Sequence, residues 1–239
     1  MLINLQHRSN ELELMDDPEV EDKALETALS DISRVNKLLG GNSITIRAVH
    51  KLIEDTDSSQ QLTILDLGCG DGEMLRSIAK SLRKKKRNVK LIGIDLSEKC
   101  LTYARKLSVS YPEISYQKQN ILNLEASKFS YDIILCTLTL HHLKCNEIRD
   151  VMKKMIELAK VGVVINDLHR SGIAYYLFKI FSFFFIKGHI AKNDGLISIK
   201  RGFKKKELLQ YAISMNLQHY NIHWKWAFRY RWVIMTKES

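Results

Sequence analysis

Proline is nearly missing from this sequence: Pro18 and Pro112 are the only two in 239 residues, and just 11 glycines join them as breakers of regular structure. So few breakers exclude long flexible linkers, collagen-like repeats and low-complexity segments, and element boundaries have to be read from hydrophobic periodicity. Cysteine is scarce as well. Cys69, Cys100, Cys136 and Cys145 fall at spacings that fit neither a CxxC redox pair nor a zinc knuckle, so reduced thiols in a reducing compartment are expected, and no metal. A membrane-spanning run is also missing. The most apolar stretch, residues 173–186, is interrupted by Lys179, and as a helix it would extend roughly 21 Å against the ~30 Å of a bilayer core. Near the N-terminus, Glu11, Glu13, Asp16 and Asp17 stand where a secretory leader would be apolar, so a cytoplasmic location is expected.

What remains is ordinary globular composition, 45% apolar and 27% charged, with a formal net charge of +10. The charge is uneven: residues 1–60 carry 6 basic and 12 acidic side chains, leaving 31 and 15 for residues 61–239. Any basic face therefore belongs to the second part, where it would attract phosphates, acidic lipids or nucleic acid. Asp17-Pro18 reads as an N-cap with proline at the first helical position. Val20, Leu25, Ala28, Leu29, Ile32, Val35 and Leu39 then recur at helical spacing up to Gly40-Gly41, predicting a helix over 18–39. Asn42 or Ser43 is placed to cap a second helix carrying Ile46, Val49, Leu52 and Ile53. Residues 1–60 thus read as an N-terminal helical attachment to a main domain over 61–239.

From residue 62, short apolar runs alternate with amphipathic segments, the rhythm of βα units and a largely parallel sheet. Strands are predicted over 63–67, 90–94, 115–118, 132–136, 161–166, 217–224 and 228–235, with helices near 72–82, 97–109, 145–159 and 204–215. The last two strands are too close for a parallel crossover, so they form an antiparallel hairpin at one edge. The most informative segment is Ile64-Leu65-Asp66-Leu67-Gly68-Cys69-Gly70-Asp71-Gly72-Glu73-Met74. An apolar strand there ends in three alternating glycines and feeds a helix. Glycines permit a tight turn and close approach to a ligand, and the N–H groups at a helix start accept an acidic group. The GxGxG spacing departs from the GxGxxG of dinucleotide sites. Asp95, ending Leu91-Ile92-Gly93-Ile94-Asp95, lies 23 residues past Gly72, about where a carboxylate would grip ribose hydroxyls. A helix cap is the plainer alternative for Asp95, and a bare β-to-α turn for the glycines.

Together with Gly93-Ile94-Asp95-Leu96-Ser97 and Tyr131-Asp132-Ile133-Ile134, the loop resembles the class I S-adenosylmethionine-dependent methyltransferases over residues 60–168. The resemblance implies a Rossmann-like, doubly wound seven-stranded mixed α/β sheet with a reversed last strand, and S-adenosylmethionine as cofactor. Carried over, Asp66, Gly68, Gly70 and Gly72 would surround the cofactor's amino-acid end, Asp95 its ribose and Leu96 its adenine. Where the family often has an acid after the third strand, this chain has Gln119-Asn120-Ile121. Asn120 can still accept the adenine amino group's hydrogen bond.

Methyl transfer to a hydroxyl is helped by a base, and histidine suits that task near neutral pH. His141 and His142 follow the fourth strand and His169 the fifth, at the sheet end where such folds bind ligands. His169 and His142 are the candidate bases, with His141 and Arg170 as candidate acceptor contacts. In Asn166-Asp167-Leu168-His169-Arg170 the plainer reading is a loop anchored by Asp167. The fourth strand's end lacks an Asn/Asp-Pro-Pro-aromatic segment and no Pro-Cys pair exists, which disfavours base methylation. Residues 174–187 are rich in aromatics, so that helix is either core or covers something greasy. Family members often place an acceptor lid at this point, implying a lid insertion over about 171–203 with Tyr175 and Phe178 lining a hydrophobic pocket. Asn193-Asp194-Gly195 reads as a turn in a loop. The basic runs Arg83-Lys84-Lys85-Lys86-Arg87 and Lys204-Lys205-Lys206 come without an aromatic-interleaved RNA motif, so nucleic acid is not the expected partner. The expected reaction is O-methylation of a hydrophobic small molecule such as a polyketide, phenol or quinone precursor. An RNA-modifying enzyme and a non-catalytic cofactor-binding module, at a membrane surface or on a partner, are the alternatives.

Overall fold

Apolar runs bounded by turn residues put alternate side chains on opposite faces of a strand, so a strand covered on both sides can bury nearly its whole length. In the computed structural model, which describes residues 3–54, 56–124 and 130–236, seven such runs form one sheet. They are β1 (Leu62–Leu67), β2 (Val89–Asp95), β3 (Ile114–Lys118), β4 (Tyr131–Thr137), β5 (Ala159–Leu168), β6 (Tyr220–Lys225) and β7 (Arg229–Met235), in the order β3-β2-β1-β4-β5-β7-β6. The first five are parallel, and β7 runs antiparallel to both β5 and β6. The expected mixed sheet with a reversed last strand is what the chain forms.

The helices are α1 (Asp22–Leu38), α2 (Gly41–Leu52), α3 (Glu73–Lys84), α4 (Glu98–Leu107), α5 (Cys145–Leu158), α6 (Gly172–Phe185), α7 (His189–Arg201) and α8 (Lys205–Ser214). Ile64, Leu91, Ile133 and Leu135 face one layer, against Val49, Leu75, Ile78 and Leu101. Leu65, Leu67, Ile134 and Cys136 face the other, against Met152, Met155, Leu208 and Trp232. Each fully buried side chain of this size contributes about 1.5–3 kcal/mol. The strand order reverses between β1 and β4, where folds of this kind open a crevice at the carboxyl ends of the strands. A separate cluster joins Ala28 and Val35 of α1 to Ile186, Ile190 and Ala191, with Phe178 and Phe181 against it.

Three local expectations need correction. Asp17-Pro18 does not start α1: the Asp17 side chain accepts the Glu19 N–H at 2.9 Å, making a turn, and the helix begins at Asp22. Neither Asn42 nor Ser43 caps α2. Gly40 precedes it in the left-handed region, and Asn42 already lies inside the helix. Residues 189–196 are not a loop but the first two turns of α7. Asp194, read as a turn residue, instead accepts the backbone N–H groups of Leu14 and Met15 at 2.8 and 2.9 Å. Gly195 is there because the Phe178 ring takes the space of a side chain: a Cβ would lie 2.2 Å from that ring.

Candidate functional site

At the end of β1 the chain turns through Gly68, Gly70 and Gly72, with φ of 67°, 53° and 76°. The Gly70 N–H donates to one oxygen of Asp95 and the Ser97 N–H to the other, both at 2.9 Å. Asp95 therefore ties the loop to the end of β2. Burial pushes its carboxyl up, and these backbone N–H bonds oppose the shift. Asp66 lies beneath the loop, 2% exposed, and its Oδ1 has no hydrogen-bond partner. Burial, and after it the charge of Asp95, pushes the Asp66 carboxyl up to about 8. A buried carboxylate oxygen left unpaired is costly unless a donor or cation meets it.

Asp66, Gly68, Gly70, Asp95, Leu96, Asn120 and Ile121 all line one cavity of about 1200 Å³. Leu96 is 64% exposed there, an apolar surface without a protein neighbour to cover it. The Asn120 side-chain oxygen accepts the Leu122 N–H at 2.9 Å, capping a short 3-10 turn, and keeps a second lone pair. Gly72 does not line the cavity. Its bare Cα makes room for Tyr116, whose hydroxyl would lie 2.0 Å from a Cβ at that position.

Another wall of the cavity is apolar. Leu25, Leu29, Ile32 and Leu39 of the α1 stretch and Ala174, Leu177, Phe178 and Phe181 of α6 line it. The α6 residues stand at i, i+3, i+4 and i+7, one helical face. Tyr175 lies about 100° around the helix from that face. It packs edge-on against Tyr176 and is not part of the lining, contrary to the expectation for it.

Polar groups enter at the turn after β4. The Asp167 carboxylate accepts the His141 backbone N–H at 3.2 Å and meets His141 Nδ1 at 2.7 Å. The ring's Nε2 has no hydrogen-bond partner and faces Glu13 Oε1 at 3.7 Å. Arg8 and Arg201 donate to the carbonyls of His141, His142 and Leu143 and hold the turn from behind. His142 is partly exposed to the cavity, with Asp16 3.5 Å from Nδ1 and Glu13 3.8 Å from Nε2. The two histidine rings lie 4.4 Å apart.

Burial disfavours a charged His141, but the carboxylates of Asp167 and Glu13 outweigh it and raise the ring to about 9. Burial likewise opposes ionisation of Glu13, yet His141, His142 and Ser198 pull it down to about 2. Glu13, His141 and His142 offer ligand atoms within 4.8 Å of one another, close enough for a metal ion. An imidazolium between two carboxylates accounts for the same geometry, and a protonated ring is no metal ligand.

His169 and Arg170 are not brought to the cavity. Side chains alternate along β5, so Leu168 lines the cavity and His169 turns away from it. Trp224 Nε1 donates to His169 Nδ1 at 3.3 Å, and Tyr230 packs edge-on against the ring. Burial, then the nearby Arg170 and Lys204 charges, push this imidazole below its ordinary value. Arg170 is 1% exposed and donates to the carbonyls of Leu5 and Gly202 and to Glu207. It fastens the N-terminal segment and the start of α8. Conversely, Glu13 and the α1 face line the cavity although sequence reading gave them no role in a site. The periodicity of α1 was visible, but its partner was not.

Residues 64–162 match the family of the methyltransferase domain. Among curated proteins, YqeM of Bacillus subtilis, a methyltransferase-type protein by name, is 30% identical over 111 residues, 45% of this chain and 42% of its own length. The ubiquinone biosynthesis O-methyltransferase of Rickettsia bellii is 28% identical over 174 residues, 71% of this chain and 67% of that one. The chain thus spans under half the length of the first of these relatives. Among solved structures, the plantazolicin methyltransferase BpumL in complex with SAH superposes with a TM-score of 0.66 at 16% identity, over 90% of this chain and 95% of that one. The CurJ carbon methyltransferase does so with 0.66 at 15%, over 92% and 62%. At these identities the likeness is one of fold.

Proposed function

We propose that the chain, whose residues 64–162 match the methyltransferase domain family, is a class I S-adenosylmethionine-dependent methyltransferase that methylates a hydroxyl of a hydrophobic small molecule, such as a phenol, polyketide or quinone precursor, with His142 taking the proton. The observation that carries this reading is one cavity with three chemistries: an unpaired buried carboxylate beside a glycine loop, a wall of leucine and phenylalanine, and a partly exposed histidine. Bound S-adenosylmethionine supplies an electrophilic methyl group on a sulfonium.

The residues fit that cofactor. Asp66 Oδ1 would meet the ammonium of its amino-acid end, and the remaining lone pairs of Asp95 would accept from the ribose diol. Leu96 and Ile121 would flank the adenine, with Asn120 at its edge. An acceptor lying against Phe178 and Phe181 would offer its hydroxyl to His142. His142 would take the hydroxyl proton as the acceptor oxygen gains the methyl group that the bound sulfonium would give up. His141 acts as a positioning residue, gripped by Asp167 and packed against the ring of His142.

The test incubates the chain with methyl-labelled S-adenosylmethionine and either alkylphenols or total RNA. Oxygen-methylated phenols, lost in His142→Ala, support the reading. Label entering RNA, with binding that falls steeply as salt rises, would replace it with the RNA alternative.

A further inference from the structure

Helix α6 has two apolar faces. One lines the cavity. The other stands in solvent: Ile173 is 66% exposed, Ile180 60%, Phe183 74% and Phe184 72%. With Leu177, which is 47% exposed and stands at the border with the cavity face, these positions fall at i, i+4, i+7, i+10 and i+11, a continuous stripe along the helix. Single exposed apolar residues are ordinary, but a contiguous stripe marks a contact surface. Its flanks are basic. Between Ser171 and Lys187 the only charged residues are Lys179 and Lys187, both exposed, and the segment has no carboxylate.

Arg34 of α1, 45% exposed, donates to the Phe185 carbonyl at the helix's C-terminal end. Asp31, whose Oδ1 pairs with Arg34, is buried, and its Oδ2 accepts both the Lys187 and Gly188 N–H groups. No helix among the described residues is long and apolar enough to cross a membrane.

We propose that α6 is a docking helix for an anionic bilayer surface. It lies in the interface plane, Phe183, Phe184, Ile180 and Ile173 set below the headgroups and Lys179, Lys187 and Arg34 among the lipid phosphates. A helix of 14 residues extends about 21 Å, which suits lying in the interface. Charge complementarity selects the occupant. Two copies of the chain joined through this stripe would oppose cations to cations with no carboxylate on either helix to pair them. Because the helix's other face lines the cavity, an acceptor dissolved in the bilayer reaches the site along α6 with little exposure to water. The proposal rests on the helix and its flanks and does not depend on which acceptor is methylated.

The experiment is sedimentation of the full chain with phosphatidylcholine vesicles and with vesicles that also contain phosphatidylglycerol. The expected result is roughly tenfold or greater preference for the anionic vesicles, because basic residues near the surface are drawn to its negative potential. The double variant Phe183→Ser, Phe184→Ser should lose at least tenfold of that binding, with S-adenosylmethionine affinity by calorimetry unchanged as evidence of folding. Equal partitioning to both vesicles, or full binding by the double variant, would sink the proposal. So would light scattering that finds a dimer dispersed by the double substitution, since the stripe would then belong to a second copy.

Discussion

The proposed cofactor end of the cavity and its proposed acceptor end are built in different ways. At the cofactor end, Asp66, Gly68, Gly70, Asp95 and Asn120 all come from the carboxyl ends of neighbouring strands or the turns just after them, and backbone N–H groups do much of the holding. At the acceptor end, the N-terminal segment, α1, the turn after β4, α6 and α7 meet from distant parts of the chain. Side chains hold them together: Asp194 on Leu14 and Met15, Arg8 on His141, Glu13 on Ser198. A site made from consecutive strand ends can be assembled by the sheet itself. One made by convergence has to wait for the whole molecule, and its chemistry depends on side chains that no local pattern groups together.

The sharpest way to separate the two ends is to disable each in turn. His142→Ala should lower turnover by roughly 10²–10⁴ while leaving cofactor affinity nearly intact, read from single-turnover kinetics beside calorimetry. A parallel fall in affinity would mean that the two ends are not separable. Asp95→Ala should do the opposite, weakening S-adenosylmethionine by ~2–3 kcal/mol, or about 30- to 150-fold, with the fold retained. Unchanged binding in a folded variant would take Asp95 out of the site.

Cofactor binding should also carry a pH signature. Asp66, pushed up to about 8, holds a proton at pH 6, whereas a cation beside Oδ1 needs the carboxylate. Binding therefore releases a proton, and affinity should rise up to about tenfold per pH unit between pH 6 and 7.5. Asp66→Asn should flatten this profile, and a flat wild-type profile would refute the assignment. The smallest effect belongs to His169→Ala. Facing Trp224 and Tyr230, it should leave turnover within about twofold, and a hundredfold loss would return His169 to the chemistry.

The same contrast explains what could be read before folding. Alternating apolar runs placed all seven strands within a few residues, and the antiparallel edge followed from how few residues separate the last two. The glycine loop and Asp95 were legible because their neighbours in space are neighbours in sequence or one strand away. Glu13 was legible only as an acid in an apolar-poor N-terminus, because its meaning comes from His141 and Ser198. His169 and Arg170 look chemical in sequence, and what separates them from the site is the two-residue alternation beyond Leu168 and the packing of the N-terminal segment. Asp194 was misread for a related reason: local propensity favours a turn at Asn-Asp-Gly, and tertiary contacts to Leu14 and Met15 overrode it.

Gly195 gives the apolar end of the cavity its depth. In the middle of a helix glycine is about 1 kcal/mol worse than alanine, yet here the missing methyl is the seat of the ring of Phe178, which lines the cavity. Any larger residue would tip that ring inward and shorten the chamber. If the cavity houses an acceptor tail as proposed, the length it accepts is gauged by an absence on α7, and a single methyl there would act as a ruler, turning away the longest molecules first.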